Sequence, residues 1–320
     1  MSVNRTNRPL KLIAGNSNPE MWAEVSEMLG APLIDCTVGR YSDGEIRIKV
    51  DESVRDSVCF VLQSTCSPVN ENLMELLLLI DAMRRASVYS ISAVLPYYGY
   101  ARQDKKLAPR EPISARLVAN LIETAGATRL LGMDLHSNAL QGFFNIPVDH
   151  LTAANVLCDY IYSDGWADQD DCVVVSPDVG GVERAYHVAD RLHLPIAIIA
   201  KRRPAPNVAE VIEVVGDVRG KRAIVFDDMV DTAGSIKIGA ERLMDEGAAA
   251  VRVYATHGIF SGEAVKNIQE SPIEKVTVTN TIPTRPETQI EKIRYISVSE
   301  LIAEAIRRNH RGESISSLFR

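Results

Sequence analysis

The strongest limit on what this chain can fold into is its alternation of short apolar runs with amphipathic segments of helical period. The apolar runs are Leu10–Ala14, Val58–Gln63, Ile91–Leu95, Leu130–Met133, Val173–Ser176, Ile196–Ile199, Ala223–Phe226, Val251–Ala255, Val276–Thr279 and Tyr295–Ser297. Most are bounded by Gly, Pro, Asp or Ser and show little polar alternation, as expected of strands buried on both faces. Between them, Asn70–Ala86, Ser114–Ala125, Ala154–Ser163, Gly181–Leu192, Ser235–Glu246 and Ser299–Asn309 read as helices. Pro112, Ser114 and Thr232–Ser235 are N-terminal cap signals, and Gly126 and Gly247 are C-terminal stops. Strand and helix in alternation predict an α/β protein with mainly parallel sheets. So many strands in 320 residues exceed one compact sheet. The sequence therefore predicts two α/β domains, 1–149 and 150–320, divided in the least element-like stretch, Ile146–Thr152. Leu130–Asp134 and Ala223–Asp227 repeat a strand-then-acid pattern, as a duplication would leave.

Composition narrows the function class. Lys and Arg number 35 against 42 Asp and Glu, a net charge of −7. That argues against a broad nucleic-acid or anionic-membrane surface, while leaving room for a local anion site. No apolar run approaches the roughly 18 residues of a membrane helix, and Met1–Pro9 has no apolar core of a secretion signal. A cytoplasmic protein is expected, with neither nucleic acid nor membrane as partner. The five cysteines, Cys36, Cys59, Cys66, Cys158 and Cys172, form no Cys-x-x-Cys pair and read as reduced, buried thiols.

In sheets of this kind, ligands bind where strands give way to helix N-termini. The richest such junction is Ile224-Val225-Phe226-Asp227-Asp228-Met229-Val230-Asp231-Thr232-Ala233-Gly234-Ser235. Asp231–Ser235 can offer backbone N–H groups and two hydroxyls to a phosphate, and Asp227 and Asp228 can accept from vicinal sugar hydroxyls. The bland alternative, an Asp-rich turn with a helix-capping hydroxyl, fits a shorter string better than this one, which resembles the ribose 5-phosphate motif of the type I phosphoribosyltransferase fold. Lys201-Arg202-Arg203 before Pro204-Ala205-Pro206-Asn207 reads as a strand-end loop, either a plain solvated loop or a source of cations for a transferring phosphoryl group. Arg102 and Gln103 follow the tyrosine-rich run Tyr97–Tyr100, and suit bidentate phosphate binding and purine or ribose reading. Tyr41-Ser42-Asp43-Gly44-Glu45 reads as a hairpin turn, with adenine stacking as the functional alternative. His136, after Asp134, and Asp178, before Gly180-Gly181, are candidate ligands of nucleotide-bound Mg²⁺.

Taken in order, these segments resemble the phosphate-activated class of the ribose-phosphate pyrophosphokinase family nearly end to end. Asn72–Leu76, Arg110–Ser114 and Gln141–Phe144 add to the resemblance. It implies two similar domains of the type I phosphoribosyltransferase fold, and allows the last helix to return to the first domain. It also implies transfer of the β,γ-diphosphate of ATP to the 1-hydroxyl of ribose 5-phosphate, releasing AMP and supplying nucleotide, histidine, tryptophan and NAD synthesis. By motif match, Tyr41, Asp43, Gly44, Glu45, Arg102 and Gln103 are implied ATP contacts. Arg203, Asp227, Asp228 and Asp231, Thr232, Ala233, Gly234 and Ser235 are implied ribose 5-phosphate contacts. His136 and Asp178 are implied Mg²⁺ positions, Lys201 and Arg203 the implied catalytic pair. Ser314 and Ser316 match the family's regulatory phosphate segment; a homohexamer, inorganic phosphate as activator and ADP as inhibitor are further implications. Two departures stand out: Tyr41 replaces the usual Phe, and Ser137–Leu140 replaces a commoner Ala-x-Gln-Ile near the family's regulatory contact. A catalytically silent regulatory homologue is the competing reading; it would be expected to have lost motif residues, and here they are present.

Overall fold

A computed structural model describes residues 8–167, 171–202 and 211–318 of the chain. It divides into two compact units. The first comprises Met1–Thr152, Thr281–Pro283 and Ser297–Arg320; the second comprises Ala153–Asn280 and Thr284–Ile296.

The first unit is built on a five-stranded sheet. Its strands are β1 (Leu10–Ala14), β4 (Val58–Leu62), β5 (Ser90–Leu95), β6 (Arg129–Met133) and β7 (Val148–Leu151), side by side in that order and parallel throughout. Every residue of β4 and β5 is buried, as covering a parallel sheet on both faces requires. Helices α2 (Val69–Arg85) and α3 (Ser114–Ala125) supply Leu76, Leu79, Ile80, Met83, Val118 and Ile122 to its core. Helix α1 (Pro19–Leu29) meets α8 (Ser299–Arg311), the last helix of the chain: Arg307 donates to the Met28 carbonyl and Ser297 to Glu24. A separate hairpin, β2 (Cys36–Arg40) and β3 (Ile46–Val50), completes the unit.

The second unit has a seven-stranded sheet in the order β10 (Val211–Val215), β9 (Ile196–Arg202), β8 (Cys172–Ser176), β11 (Arg222–Val230), β12 (Ala250–Gly258), β13 (Lys275–Thr279), β14 (Ile293–Ile296). Only β10 runs antiparallel. The chain steps outward from β8 to β9 through α5 (Val182–Leu192), then returns to the other side of β8 and continues through β11, α6 (Gly234–Asp245), β12 and α7 (Ala264–Glu270). The crossovers diverge between β8 and β11, which leaves a crevice beyond their carboxyl ends.

Several expectations need correction. The stretch chosen for the domain boundary contains β7, and a cut at 149/150 would divide that strand; the compact unit runs on to Thr152. Asp149 and His150 disguised it, because β7 carries polar side chains with local partners. Asp149 is buried, takes both carboxylate oxygens to Arg129 at 2.8 Å, and accepts from Asn309 of α8 at 2.9 Å. The basic run is not wholly loop: β9 continues to Arg202, and the backbones of Lys201 and Arg202 face Ile212 and Val211 of β10. An antiparallel neighbour satisfies backbone groups whatever the side-chain charge. Neither cap signal works as a side-chain cap, since α3 and α6 start from Ile113 and Ala233 with no capping side-chain hydrogen bond. Among the described residues no helix is long and apolar enough to cross a membrane. The cysteines are free, and four are buried; burial pushes the thiols of Cys59 and Cys158 up to about 12.

Asp149 ties three elements through one carboxylate. Asp149→Ala is expected to cost the first unit about 2–4 kcal/mol, because it strips the partner from a largely buried Arg129. A fall in the denaturant midpoint of its unfolding would register this, and Asp149→Asn should lose less.

Candidate functional site

The site in the second unit begins where two strands part. Pairing of β11 with β8 ends at Val225 opposite Val175, whereas pairing with β12 continues to Val230 opposite Gly258. Asp227 and Asp228 therefore lie inside β11, beyond Phe226 where the sequence alone ended the strand, short of its observed end at Val230, and past its last contact with β8. Asp227 is half-buried and Asp228 buried. The Asp228 N–H donates to Asp227 Oδ1 at 2.8 Å, and Arg184, in the first turn of α5, reaches Asp227 Oδ1 at 3.0 Å and Asp228 Oδ1 at 3.3 Å. Burial, then the adjacent Asp228 charge, holds the Asp227 carboxyl well above the usual carboxylate range, with Arg184 pulling the other way. Arg184 was not among the residues singled out from sequence. The available signal was a cation where a helix's first turn prefers acids, which marks a local counter-charge.

Beyond β11, Asp231–Ser235 lead into α6. Ala233 holds φ 58, the left-handed region that a non-glycine residue adopts at a cost, and α6 starts with no side chain capping its N–H groups. Thr232 and Ser235 are exposed beside those donors. The result is an acceptor pair followed by a donor-rich helix start, suited to a sugar hydroxyl group and a phosphate respectively. Across the crevice, Asp178 follows β8. Its Oδ1 accepts from the Gly181 N–H at 2.8 Å and its carbonyl from Ser176 Oγ at 2.7 Å, so the turn into α5 is fixed and the side chain stays exposed. A Cβ on Gly181 would lie 3.1 Å from Ser176 Oγ, which is why the turn is tight. The backbone of Lys201 lies at the same carboxyl edge, since β9 is parallel to β8; Arg203 and Pro204–Asn207 lie outside the described residues.

The first unit holds the other candidates. Arg102 and Gln103 are exposed after β5. Gly99 sets their approach, because a Cβ there would lie 2.5 Å from the Thr65 carbonyl oxygen. The Gln103 side-chain oxygen accepts from Ser114, which is the use α3's first hydroxyl finds in place of capping, and the Gln103 carbonyl accepts from the Ala115 N–H at 3.2 Å. Tyr97 and Tyr98 are core, while Tyr100 is partly exposed. His136, exposed, sits in the turn after β6, where the Leu135 N–H donates to His150 Nε2 of β7 at 2.8 Å. Tyr41–Glu45 is the tip of the β2–β3 hairpin. The Tyr41 N–H donates to the Glu45 carbonyl at 2.8 Å, Asp43 accepts from the Glu45 N–H at 3.1 Å, and Gly44 takes φ 96. Tyr41 is 54% exposed, leaving a ring face for a planar ligand. Ser314 and Ser316 form an exposed turn after α8, bonded hydroxyl to hydroxyl at 3.2 Å, with Arg308 donating to the Ser314 carbonyl at 3.3 Å. No group of three or more His, Cys, Asp or Glu is arranged to hold a metal among the described residues.

Comparison with known proteins gives a consistent picture. Residues 10–126 match the model of the N-terminal domain of ribose phosphate pyrophosphokinase, and residues 201–320 the phosphoribosyl synthetase-associated domain. The chain is 53% identical over 315 residues to the ribose-phosphate pyrophosphokinase of Caldanaerobacter subterraneus, covering 98% of this chain and 99% of that one. It is 50% identical over 319 residues to that of Bacillus subtilis, covering the whole of both. The crystal structure of phosphoribosylpyrophosphate synthetase from Mycobacterium smegmatis matches with a TM-score of 0.90 at 43% identity, over 95% of this chain and 100% of that one.

A carboxyl raised by its fold contributes stability that is full below its unfolded value and lost as pH rises through its folded value. Asp227→Asn should therefore raise the thermal midpoint of the second unit at neutral pH and change it little near pH about 4, the ordinary carboxylate value. Melting curves of both proteins across that range check this; a difference that shrinks with rising pH would contradict the assigned direction.

Proposed function

The chain belongs to the ribose-phosphate pyrophosphokinase family and transfers diphosphate from ATP to ribose 5-phosphate, and we propose that its two units divide the substrates between them. In this reading the second unit takes ribose 5-phosphate. Asp227 and Asp228 accept from the ribose hydroxyls, and the Asp231–Ser235 N–H and hydroxyl groups hold the 5-phosphate. The observation carrying it is the end of β11, where paired acids and the uncapped start of α6 share one carboxyl edge. The first unit contributes ATP contacts: Tyr41 stacks on the adenine, Asp43, Gly44 and Glu45 face its polar edge, and Arg102 and Gln103 take phosphate and ribose. Nothing in the chain favours the silent homologue.

ATP and ribose 5-phosphate together bring roughly six negative charges, so local cations must offset their repulsion. Lys201 and Arg203 stabilise the diphosphate in transit between the ribose 1-hydroxyl and departing AMP. Asp227 orients the sugar, and the phosphate loop anchors its far end so that the 1-hydroxyl is held in line. A carboxylate and an imidazole suit Mg²⁺, which takes one or two protein ligands with substrate phosphates and water. Asp178 and His136 would hold it, and bound Mg²⁺ supplies charge neutralisation at the phosphates. The family resemblance supports a homohexamer in the cytoplasm, activated by inorganic phosphate and inhibited by ADP. The Arg308-backed turn of Ser314 and Ser316 is the segment assigned to that regulation.

Purified protein with ATP, Mg²⁺ and ribose 5-phosphate should release AMP and the diphosphorylated sugar in equal amounts, and chelating the metal should abolish both. AMP without sugar product, or undiminished turnover in chelator, would refute the assignment. Lys201→Ala is expected to lower kcat by about 10³-fold or more while ribose 5-phosphate binding changes little. Calorimetric titration of that variant separates the two effects.

A further inference from the structure

We infer that Ser261 and Asn267, outside the motif itself, are positioning residues that hold the phosphate loop from behind and aim its N–H groups at ribose 5-phosphate. The inference rests on the reading of Asp231–Ser235 as the phosphate-binding loop. After β12 the chain turns through Ile259–Gly262 into α7, and the turn and α7 together hold three successive carbonyls, from Val230 at the end of β11 to Thr232 in the loop. The Ile259 and Phe260 N–H groups both donate to the Val230 carbonyl, at 2.9 and 3.1 Å. The Ser261 N–H donates to the Asp231 carbonyl at 3.1 Å, and the Ser261 hydroxyl donates to Asp231 Oδ1. Asn267 Nδ2 donates to the Thr232 carbonyl at 2.9 Å.

The geometry of the peptide group turns these contacts into an orientation. In a planar trans peptide, the carbonyl of one residue and the N–H of the next point in opposite directions. Fixing the Asp231 and Thr232 carbonyls toward Ser261 and Asn267 points the Thr232 and Ala233 N–H groups the other way. Those two N–H groups precede the uncapped start of α6 and add to its donors. The brace also opposes strain: Ala233 at φ 58 and Phe260 at φ 47 both sit in the left-handed region, which persists when surrounding bonds over-determine it. The brace is itself tethered, because Arg285 donates to the Ile259 and Phe260 carbonyls at 2.9 and 2.8 Å. The Asp231 carboxylate, engaged by Ser261, is thus an organiser of the loop.

Asn267→Asp decides between aiming and mere packing, because it keeps the shape but sets an acceptor against the Thr232 carbonyl. We expect Asn267→Ala to raise both Kd and KM for ribose 5-phosphate by about 5–20-fold, and Asn267→Asp to raise them further. Ser261→Ala should act like Asn267→Ala, and Ser261→Thr, which keeps the hydroxyl, should bind better than Ser261→Ala. KM for ATP and kcat should stay within about twofold, as expected for lost binding that is uniform between ground and transition states. Titration calorimetry with ribose 5-phosphate alone and steady-state kinetics provide the two readouts, with circular dichroism to verify folding. The inference is overturned if Asn267→Asp binds like the unaltered protein, or if both substrates' KM values rise together. A Thr232→Ala, Ser235→Ala double variant separates the two levels. If it too binds normally, the phosphate-loop reading fails and the inference with it; if it alone loses binding, only the brace fails. Should Asn267→Asp not fold, the Ser261→Ala and Ser261→Thr pair decides.

Discussion

Everything at the candidate site of the second unit depends on β11 losing one neighbour before the other. While β8 and β12 both flank it, β11 is an ordinary buried apolar strand; past Val225 only β12 remains. The one-sided stretch has ladder support and an open flank at once, so it can hold two carboxylates side by side. Arg184, within 3.0 and 3.3 Å of the two, makes their juxtaposition tolerable. A sheet with strands in simple sequence, such as that of the first unit, has no such parting of the ways between crossovers. Difference in strand order, on a shared α/β plan, thus gives only the second unit such an open flank at a carboxyl edge.

The acidic balance of the chain now has a local meaning. A net charge of −7 cannot draw in two polyanions through the overall field. Attraction must come from local groups, and the proposed site draws on oriented N–H groups at α6, on Arg102 and on the basic run that begins at Lys201. Some of the acids in the excess sit at the candidate site: Asp178 on its fixed turn, and the Asp227–Asp228 pair.

Much of this was legible in the residues. Apolar runs without alternation located the buried strands, and the long string from Ile224 to Ser235 marked the strand end and the start of α6. What escaped did so for identifiable reasons. The hairpin strands β2 and β3 and the short β7 carry polar residues, so their apolar signal is diluted. Helix α1 had a readable start and stop, Asn18 accepting from the Met21 N–H at 3.4 Å, Pro19 at its first position and Gly30 at φ 61, but its apolar content is modest. Ser114 looked like a cap and is bonded to Gln103 instead, a competition between local and tertiary partners that spacing cannot resolve. Arg184, Ser261 and Asn267 are distant in sequence from the motifs they serve, and only the fold brings them there.

The return of α8 to the first unit makes the order of synthesis matter. The residues that make the first sheet leave the ribosome early, yet the helix that packs beside α1, and the Asn309 that completes the Asp149 tie, come near the end of the chain. The second unit, by contrast, is complete once Ile296 has been added. The half that begins first is therefore finished last, and its α8-facing surface stays uncovered throughout translation of the other. A ribosome that stops between Ile296 and Ser299 releases a chain whose second unit has all its parts and whose first does not.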